Sequence, residues 1–257
     1  MSIDLDLQDG IATITINRPE RRNALDAEHY RLLSEAWVQV RDDDRIRTAI
    51  VTGAGEAAFC AGADIKSFVG GERALSDLWL TQKDSLLNRG LEVWKPVIAA
   101  VNGACVGGGM TLMLATDLRV ASDSAFFSLA EVRRGIIAAN GGTQRIMRQM
   151  PYAIAMEMLL LGDRIDAEAA GRWGLVNRVV PRAALMETAR DFAERIGRNA
   201  PLAVRAAKEL AVRGQDMTLA EGLRMEQLVN GILHGSEDTA AAKAAFAEKR
   251  EPTFRGR

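Results

Sequence analysis

A chain of 257 residues with 48% apolar content and only six prolines can bury one large core with an appendage, which excludes disordered and fibrous classes. A formal net charge of −1 gives no general electrostatic reason to expect nucleic acid, so an acidic ligand would need a local basic patch. Cys60, Cys105, His29 and His234 lack metal-ligand spacing, no apolar run is long enough for a membrane span, and the acidic start does not read as a secretory leader; the expectation is a cytoplasmic protein without metal, membrane or nucleic-acid partners.

Alternation over residues 3–7 and 11–16 (IATITI) predicts two strands joined by an Asp9-Gly10 hairpin turn. From Asp26 a helix is expected, with Tyr30, Leu33, Trp37 and Val40 at helical spacing and a charged, solvated end from Arg41 to Asp44. Residues 46–52 (IRTAIVT) read as a strand that breaks at Gly53-Ala54-Gly55 into a loop carrying FCAGADIK. Residues 72–94 read as mostly helical. A second buried strand at 97–101 ends at Asn102-Gly103, and a buried helix opens at 110–115. Strands follow at 118–121 and 125–128, then helices from Thr143 and Pro151, a short helix from Asp163 through Ala170, and a strand at 175–180. Recurrence of strand, loop and helix points to an α/β core of like units. After Pro181 only helical patterns remain, at 185–196, 201–212, 219–233 and 239–250, whose apolar stripes must pack on the core or on another subunit.

Chemistry is expected in the stretch from Lys95 to Asp117, KPVIAAVNGACVGGGMTLMLATD. A strand that breaks over Gly107, Gly108 and Gly109 into a helix start leaves amide groups uncovered and converging, suited to a phosphate or a developing oxyanion. Close packing of helix on strand is the competing reading. The glycines do not form a dinucleotide-binding GxGxxG, and no GxxxxGK[ST] is present to cradle a nucleoside triphosphate.

AFCAGADIK, KPVIAAVNGACVGGGMTL, SLAEVRRGI, GGTQR and LLLGDRIDAEAAGRWGLVNRVVP occur in the order of the enoyl-CoA hydratase/isomerase (crotonase) family, which the chain resembles from Asn17 to its final helix. The resemblance implies an α/β spiral of repeated β-β-α units over residues 1–196, holding an acyl-CoA site. It implies a C-terminal helical region for oligomerisation over 197–257, with a homotrimer or dimer of trimers as the assembly. It implies no cofactor beyond the coenzyme A of the substrate. By position, the amides of Ala63 and Gly108 would form an oxyanion hole on the thioester carbonyl. Ala61, Ala63 and Ile65 would line the adenine site, Arg21, Arg22 and Lys66 would meet phosphates, and Phe246 and Lys249 would reach the coenzyme A of a neighbouring subunit. For Phe246 helix packing, and for the bases ordinary surface charge, are the plain alternatives.

Hydratases of the family use two glutamates, and their positions match Thr111 and Glu131 in this chain. Threonine cannot take a proton at neutral pH as a carboxylate does, although its hydroxyl can orient water. Glu131 is then the one matched base, with a pKa that Phe127 and Leu129 can raise by desolvation; its alternative is a salt bridge beside Arg133 and Arg134. A double-bond shift of an enoyl-CoA is expected slightly ahead of hydration. C–C cleavage, decarboxylation, dehalogenation and non-catalytic coenzyme A binding stand as further alternatives. Asn140 either orients water or substrate or takes a left-handed turn. Asp64 is expected in an Asx-type turn and Asp117 at a helix end.

Overall fold

In a computed structural model, which describes residues 2–68 and 86–257, two sheets carry the chain. The larger has the order β1(Ser2–Gln8), β2(Ile11–Asn17), β3(Thr48–Gly53), β5(Val97–Val101), β7(Leu118–Ser122), β10(Arg178–Val180). The smaller has the order β4(Ala58–Cys60), β6(Ala104–Val106), β8(Phe126–Ser128), β9(Ile165–Asp166). Apart from the antiparallel pairs β1/β2 and β8/β9, neighbouring strands are parallel. Asp9 and Gly10 both take positive φ, the geometry that the hairpin turn requires.

Each turn of the spiral sends one strand into the large sheet, the next into the small sheet, and then forms a helix. Strands β3 and β4 lead to α2(Ile65–Phe68), β5 and β6 to α3(Gly108–Leu114), and β7 and β8, by way of a short 3-10 turn, to α4(Gly142–Gln149). These are the like units that the strand and glycine pattern implied. The first helix, α1(Ala27–Asp42), has Asp26 as its N-cap and buries Leu33, Trp37 and Val40.

Every position of β3 is buried, because both faces of the large sheet are covered. One face meets the main core, where Ile14, Trp37, Phe59, Met110 and Phe127 are fully enclosed. The other presents Ile11, Ile50, Ile98 and Val120 to Leu185, Ala189 and Ala193 of a helix at Leu185–Gly197. Full burial of each such aliphatic side chain contributes about 1.5–3 kcal/mol.

The structure corrects the expected elements in four places. Residues 58–60 and 104–106 are strands of the small sheet where loop was expected; they are three residues long and lack alternation. Ile165–Asp166 pairs with β8, and the helix starts only at Ala167, with Asp166 as its N-cap. Of residues 175–180 only Arg178–Val180 is strand, since the Leu175 amide still closes onto Ala170. The helix expected at 72–94 falls largely on residues 69–85, outside the described residues; from Leu86 onward there is one 3-10 turn, Leu87–Arg89, ended by Gly90 at φ 102°.

Beyond Gly197 three more helices follow, at Pro201–Arg213, Leu219–His234 and Glu237–Ala247, and the first two bury none of their residues. Polar anchors tie this region down. Lys208 Nζ lies 2.7 Å from Asp117 Oδ2 and donates to the Lys95 carbonyl at 3.0 Å, while Asp117 also accepts from the Val97 amide. Asp117 thus follows α3 as expected, but its carboxylate serves β5 and the C-terminal helices. Buried Asp238 accepts from the amides of Arg255 and Gly256 and pins the last residues.

Candidate active site

Two loops meet where the small sheet ends. After β4 the segment through Ala61–Asp64 runs beside Leu25, whose amide donates to the Gly62 carbonyl and whose carbonyl accepts from the Asp64 amide, both at 2.8 Å. This parallel bridge uses the peptide groups flanking Ala63 and turns the Ala63 amide the other way. After β6, Gly107 bends the chain at φ 55°, ψ −118° and Gly108 becomes the first helical residue of α3. The Gly108 amide is among those that a helix N-terminus leaves unpaired. Among the described residues neither amide donates to a carbonyl.

The loops touch at glycines. A Cβ on Gly62, which has φ +90°, would lie 2.8 Å from Gly108 N, and a Cβ on Gly108 would lie 3.4 Å from Ala63 N. The two amides therefore border one small space. Asp64 holds its loop by a 2.9 Å pair with Arg18, which also reaches Asp26 at 3.3 Å, and by the expected Asx-type bond from the Lys66 amide.

Glu131 opens a 3-10 turn, Glu131–Arg134, directly after β8. Its Oε1 lies 3.4 Å from where a Cβ on Gly107 would stand, so the carboxylate faces the glycine next to Gly108. Its Oε2 is buried and has no hydrogen-bond partner among the described residues. Burial pushes the carboxyl above the usual glutamate range, against smaller opposing effects of a backbone hydrogen bond and the Arg134 charge.

Thr111 stands in the first turn of α3, 1% exposed. Its hydroxyl donates to the Gly108 carbonyl and accepts from Asn88 Nδ2, each at 3.0 Å. Asn140 takes a left-handed φ of 55°, and its Oδ1 accepts from Arg89 Nε at 3.0 Å. An Arg145 nitrogen donates to the carbonyls of both Asn88 and Asn140, stitching the 3-10 turn at Leu87–Arg89 to the loop before α4. The Arg89 guanidinium lies 5.1 Å from the centre of the Tyr30 ring. Tyr30, Asn88 and Arg89 were not singled out in the sequence as site residues. Tyr30 reads as one more apolar position on α1, and Asn88-Arg89 lies within a stretch with a helical pattern, where only the following Gly90 signals a turn.

Arg21 and Arg22 are exposed, and Arg22 is joined to Ala61 through its carbonyl, which accepts from the Ala61 amide. Ala63, Ile65 and Lys66 are exposed just beyond, so these positions form one continuous surface outside the two amides. Phe246, 88% exposed, and Lys249 lie at the end of the last helix, and neither side chain makes a hydrogen bond among the described residues. Cys60 is buried next to the Gly62 loop, where desolvation pushes its thiol up to about 12, so it supplies no thiolate at neutral pH. No cluster of acids, histidines or cysteines suited to a metal occurs among the described residues, and none of their helices is long and apolar enough to cross a membrane.

Comparison with known proteins joins this geometry to a family. The enoyl-CoA hydratase/isomerase family model matches residues 6–257. An (E)-benzylidenesuccinyl-CoA hydratase of Thauera aromatica is 44% identical over 256 residues, covering 100% of both chains. A carnitinyl-CoA dehydratase of Proteus mirabilis is 40% identical, covering 100% of this chain and 99% of that one. The crystal structure of an enoyl-CoA hydratase from Bacillus anthracis superposes with a TM-score of 0.93 at 36% identity, over 100% of each chain. With its β-β-α spiral, its C-terminal helices and its paired amides beside a buried glutamate, the chain belongs to the enoyl-CoA hydratase/isomerase family of enzymes acting on acyl-CoA thioesters.

Proposed function

We propose that the enzyme adds water reversibly to the double bond of a 2-enoyl-CoA thioester, with Glu131 handling the one proton. The observation that carries this reading is the partnerless, buried Oε2 of Glu131 beside the glycine turn that presents the Gly108 amide. In this reading the amides of Ala63 and Gly108 hold the thioester oxygen and stabilise it as charge develops. Glu131 takes a proton from water as the water oxygen bonds to Cβ. The electron pair of the double bond moves to give an enolate. The enolate collapses by taking that proton back from Glu131 at Cα, leaving a 3-hydroxyacyl-CoA and the carboxylate restored. The printed activities of the two relatives, a hydratase and a dehydratase, support water addition and removal.

A double-bond shift is the second reading, favoured by Thr111. Its hydroxyl proton is committed to the Gly108 carbonyl, so the second carboxylate of a two-glutamate hydratase has no substitute there. Arg21, Arg22 and Lys66 are assigned to coenzyme A phosphates, Ala61, Ala63 and Ile65 to the adenine, and Phe246 and Lys249 to the coenzyme A of a neighbouring subunit. Asn140 is assigned to orienting the water. Residues 1–196 form the catalytic unit and 197–257 the oligomerisation region of a homotrimer or dimer of trimers.

Incubation with 2-butenoyl-CoA in ¹⁸O-labelled water tests both readings. Hydration puts the label into a 3-hydroxyacyl product, whereas a double-bond shift converts 3-enoyl-CoA to 2-enoyl-CoA without label. Glu131→Gln is expected to reduce turnover at least about a hundredfold with little change in coenzyme A affinity. Unchanged turnover would remove Glu131 from the mechanism.

A further inference from the structure

Tyr30 sits in the first turn of α1, with its ring against the main core and half of its surface covered. Its hydroxyl end lies where the two loops of the site meet. A Cβ on Gly108 would stand 3.4 Å from Tyr30 Oη, 3.4 Å from Ala63 N and 3.2 Å from Gly62 Cα. Three groups able to donate, the amides of Ala63 and Gly108 and the Tyr30 phenol, thus crowd one point. Core packing needs only the ring of a tyrosine, and its hydroxyl is a donor that protein interiors put to use.

The ring is held in place from two sides. Arg89 lies over its face, and the Nε of Arg89 is fixed by Asn140. The helix carrying Tyr30 is capped by Asp26, which pairs with Arg18; the same Arg18 pairs with Asp64, the residue after Ala63. One buried arginine therefore sets the phenol and the Ala63 amide relative to each other. The positive charge of Arg89 behind the ring also favours negative charge developing in front of it.

We infer that Tyr30 Oη is a third donor to the thioester oxygen, acting beside the amides of Ala63 and Gly108. This rests on the oxyanion-hole reading above and adds to it a side-chain donor, one that substitution can remove without disturbing the backbone. Because the bond strengthens as the oxygen becomes an enolate, it contributes to turnover more than to ground-state binding.

The test uses cinnamoyl-CoA, whose conjugated thioester absorbs at longer wavelength when its carbonyl is polarised, and S-butyl-CoA, a thioether with no carbonyl oxygen. For Tyr30→Phe the expected result is a smaller red shift of bound cinnamoyl-CoA, unchanged affinity for S-butyl-CoA, an unchanged melting temperature, and turnover of 2-butenoyl-CoA reduced about a hundredfold, the loss typical of one oxyanion donor. A wild-type red shift in Tyr30→Phe overturns the inference. So does equal weakening of the thioether, which marks a packing role. Gly62→Ala serves as the control for the hole itself. If it too leaves the red shift intact, the hole is misplaced; if it abolishes the shift while Tyr30→Phe does not, only the role of Tyr30 falls.

Discussion

Asn88 closes off Thr111: its Nδ2 donates to the threonine hydroxyl at 3.0 Å while that hydroxyl donates onward to the Gly108 carbonyl. The position that carries a glutamate in two-carboxylate hydratases is here part of a buried chain of hydrogen bonds, with both donors and the acceptor accounted for. Thr111→Val removes the hydroxyl but keeps the shape, and leaves the Asn88 amide without its acceptor. The expected cost is about 1–3 kcal/mol in chemical denaturation. Turnover is expected to stay within about threefold of wild type, since no proton transfer passes through this residue. A fall in turnover comparable to that of Glu131→Gln would give Thr111 a chemical role.

Burial holds the Glu131 carboxyl above the ordinary glutamate range, which fixes the direction of two pH effects. The base must be ionised, so kcat/KM should rise with pH through the raised pKa, at higher pH than for an exposed glutamate. The folded chain also binds this proton more tightly than the unfolded chain. Its contribution to stability is therefore full below the unfolded pKa and is lost as pH rises through the folded one. Glu131→Gln, which never ionises, should gain melting temperature relative to wild type as pH increases, and thermal melts across the acid-to-neutral range check the sign.

Gly62 permits the contact between the two loops. With φ at +90° and a Cβ position 2.8 Å from Gly108 N, Gly62→Ala meets backbone strain and a backbone clash together. A stability loss of about 1 kcal/mol or more is expected. Because the clash falls on one proposed donor, activity should drop by about a hundredfold or more. Steady-state kinetics beside thermal melts would separate the two losses.

The helices at Pro201–Arg213 and Leu219–His234 bury nothing within one chain, yet Leu219 is 79% and Ile232 75% exposed. Under the proposed trimer these side chains are covered by a neighbour. Ile232→Glu would place a charge in that interface, and light scattering should then report a smaller species than wild type.

Much of the fold was legible because its signals are local. The Asp9-Gly10 hairpin, the helix capped by Asp26, the buried runs of β3 and β5 and the helical tail each depend on residues close in sequence. The three-residue strands β4 and β6 were not, because a fully buried short strand shows no period and its pairing partner lies more than forty residues away. The same division runs through the candidate site. Ala63, Gly108 and Glu131 stand out by motif, whereas Tyr30, Asn88 and Arg89 join it only through tertiary contacts with Gly108, Thr111 and Asn140. Asn140 combines both of its expected features, since it takes the left-handed turn and still points its side chain into a hydrogen bond.

The bridge between Leu25 and Ala63 makes the site depend on a count of residues more than on their kinds. Leu25 engages the peptide groups on either side of Ala63, so the Ala63 amide faces Gly108 through strand alternation alone. Its own side chain is exposed and takes no part in aiming it. Adding or deleting one residue between Cys60 and Asp64 would present the opposite edge of the chain and turn the donor back toward Leu25. Changing the letter at position 63 leaves the amide where it is. Evolution of this enzyme is therefore free to vary the surface around the thioester by substitution, but only while the length of that short segment stays fixed.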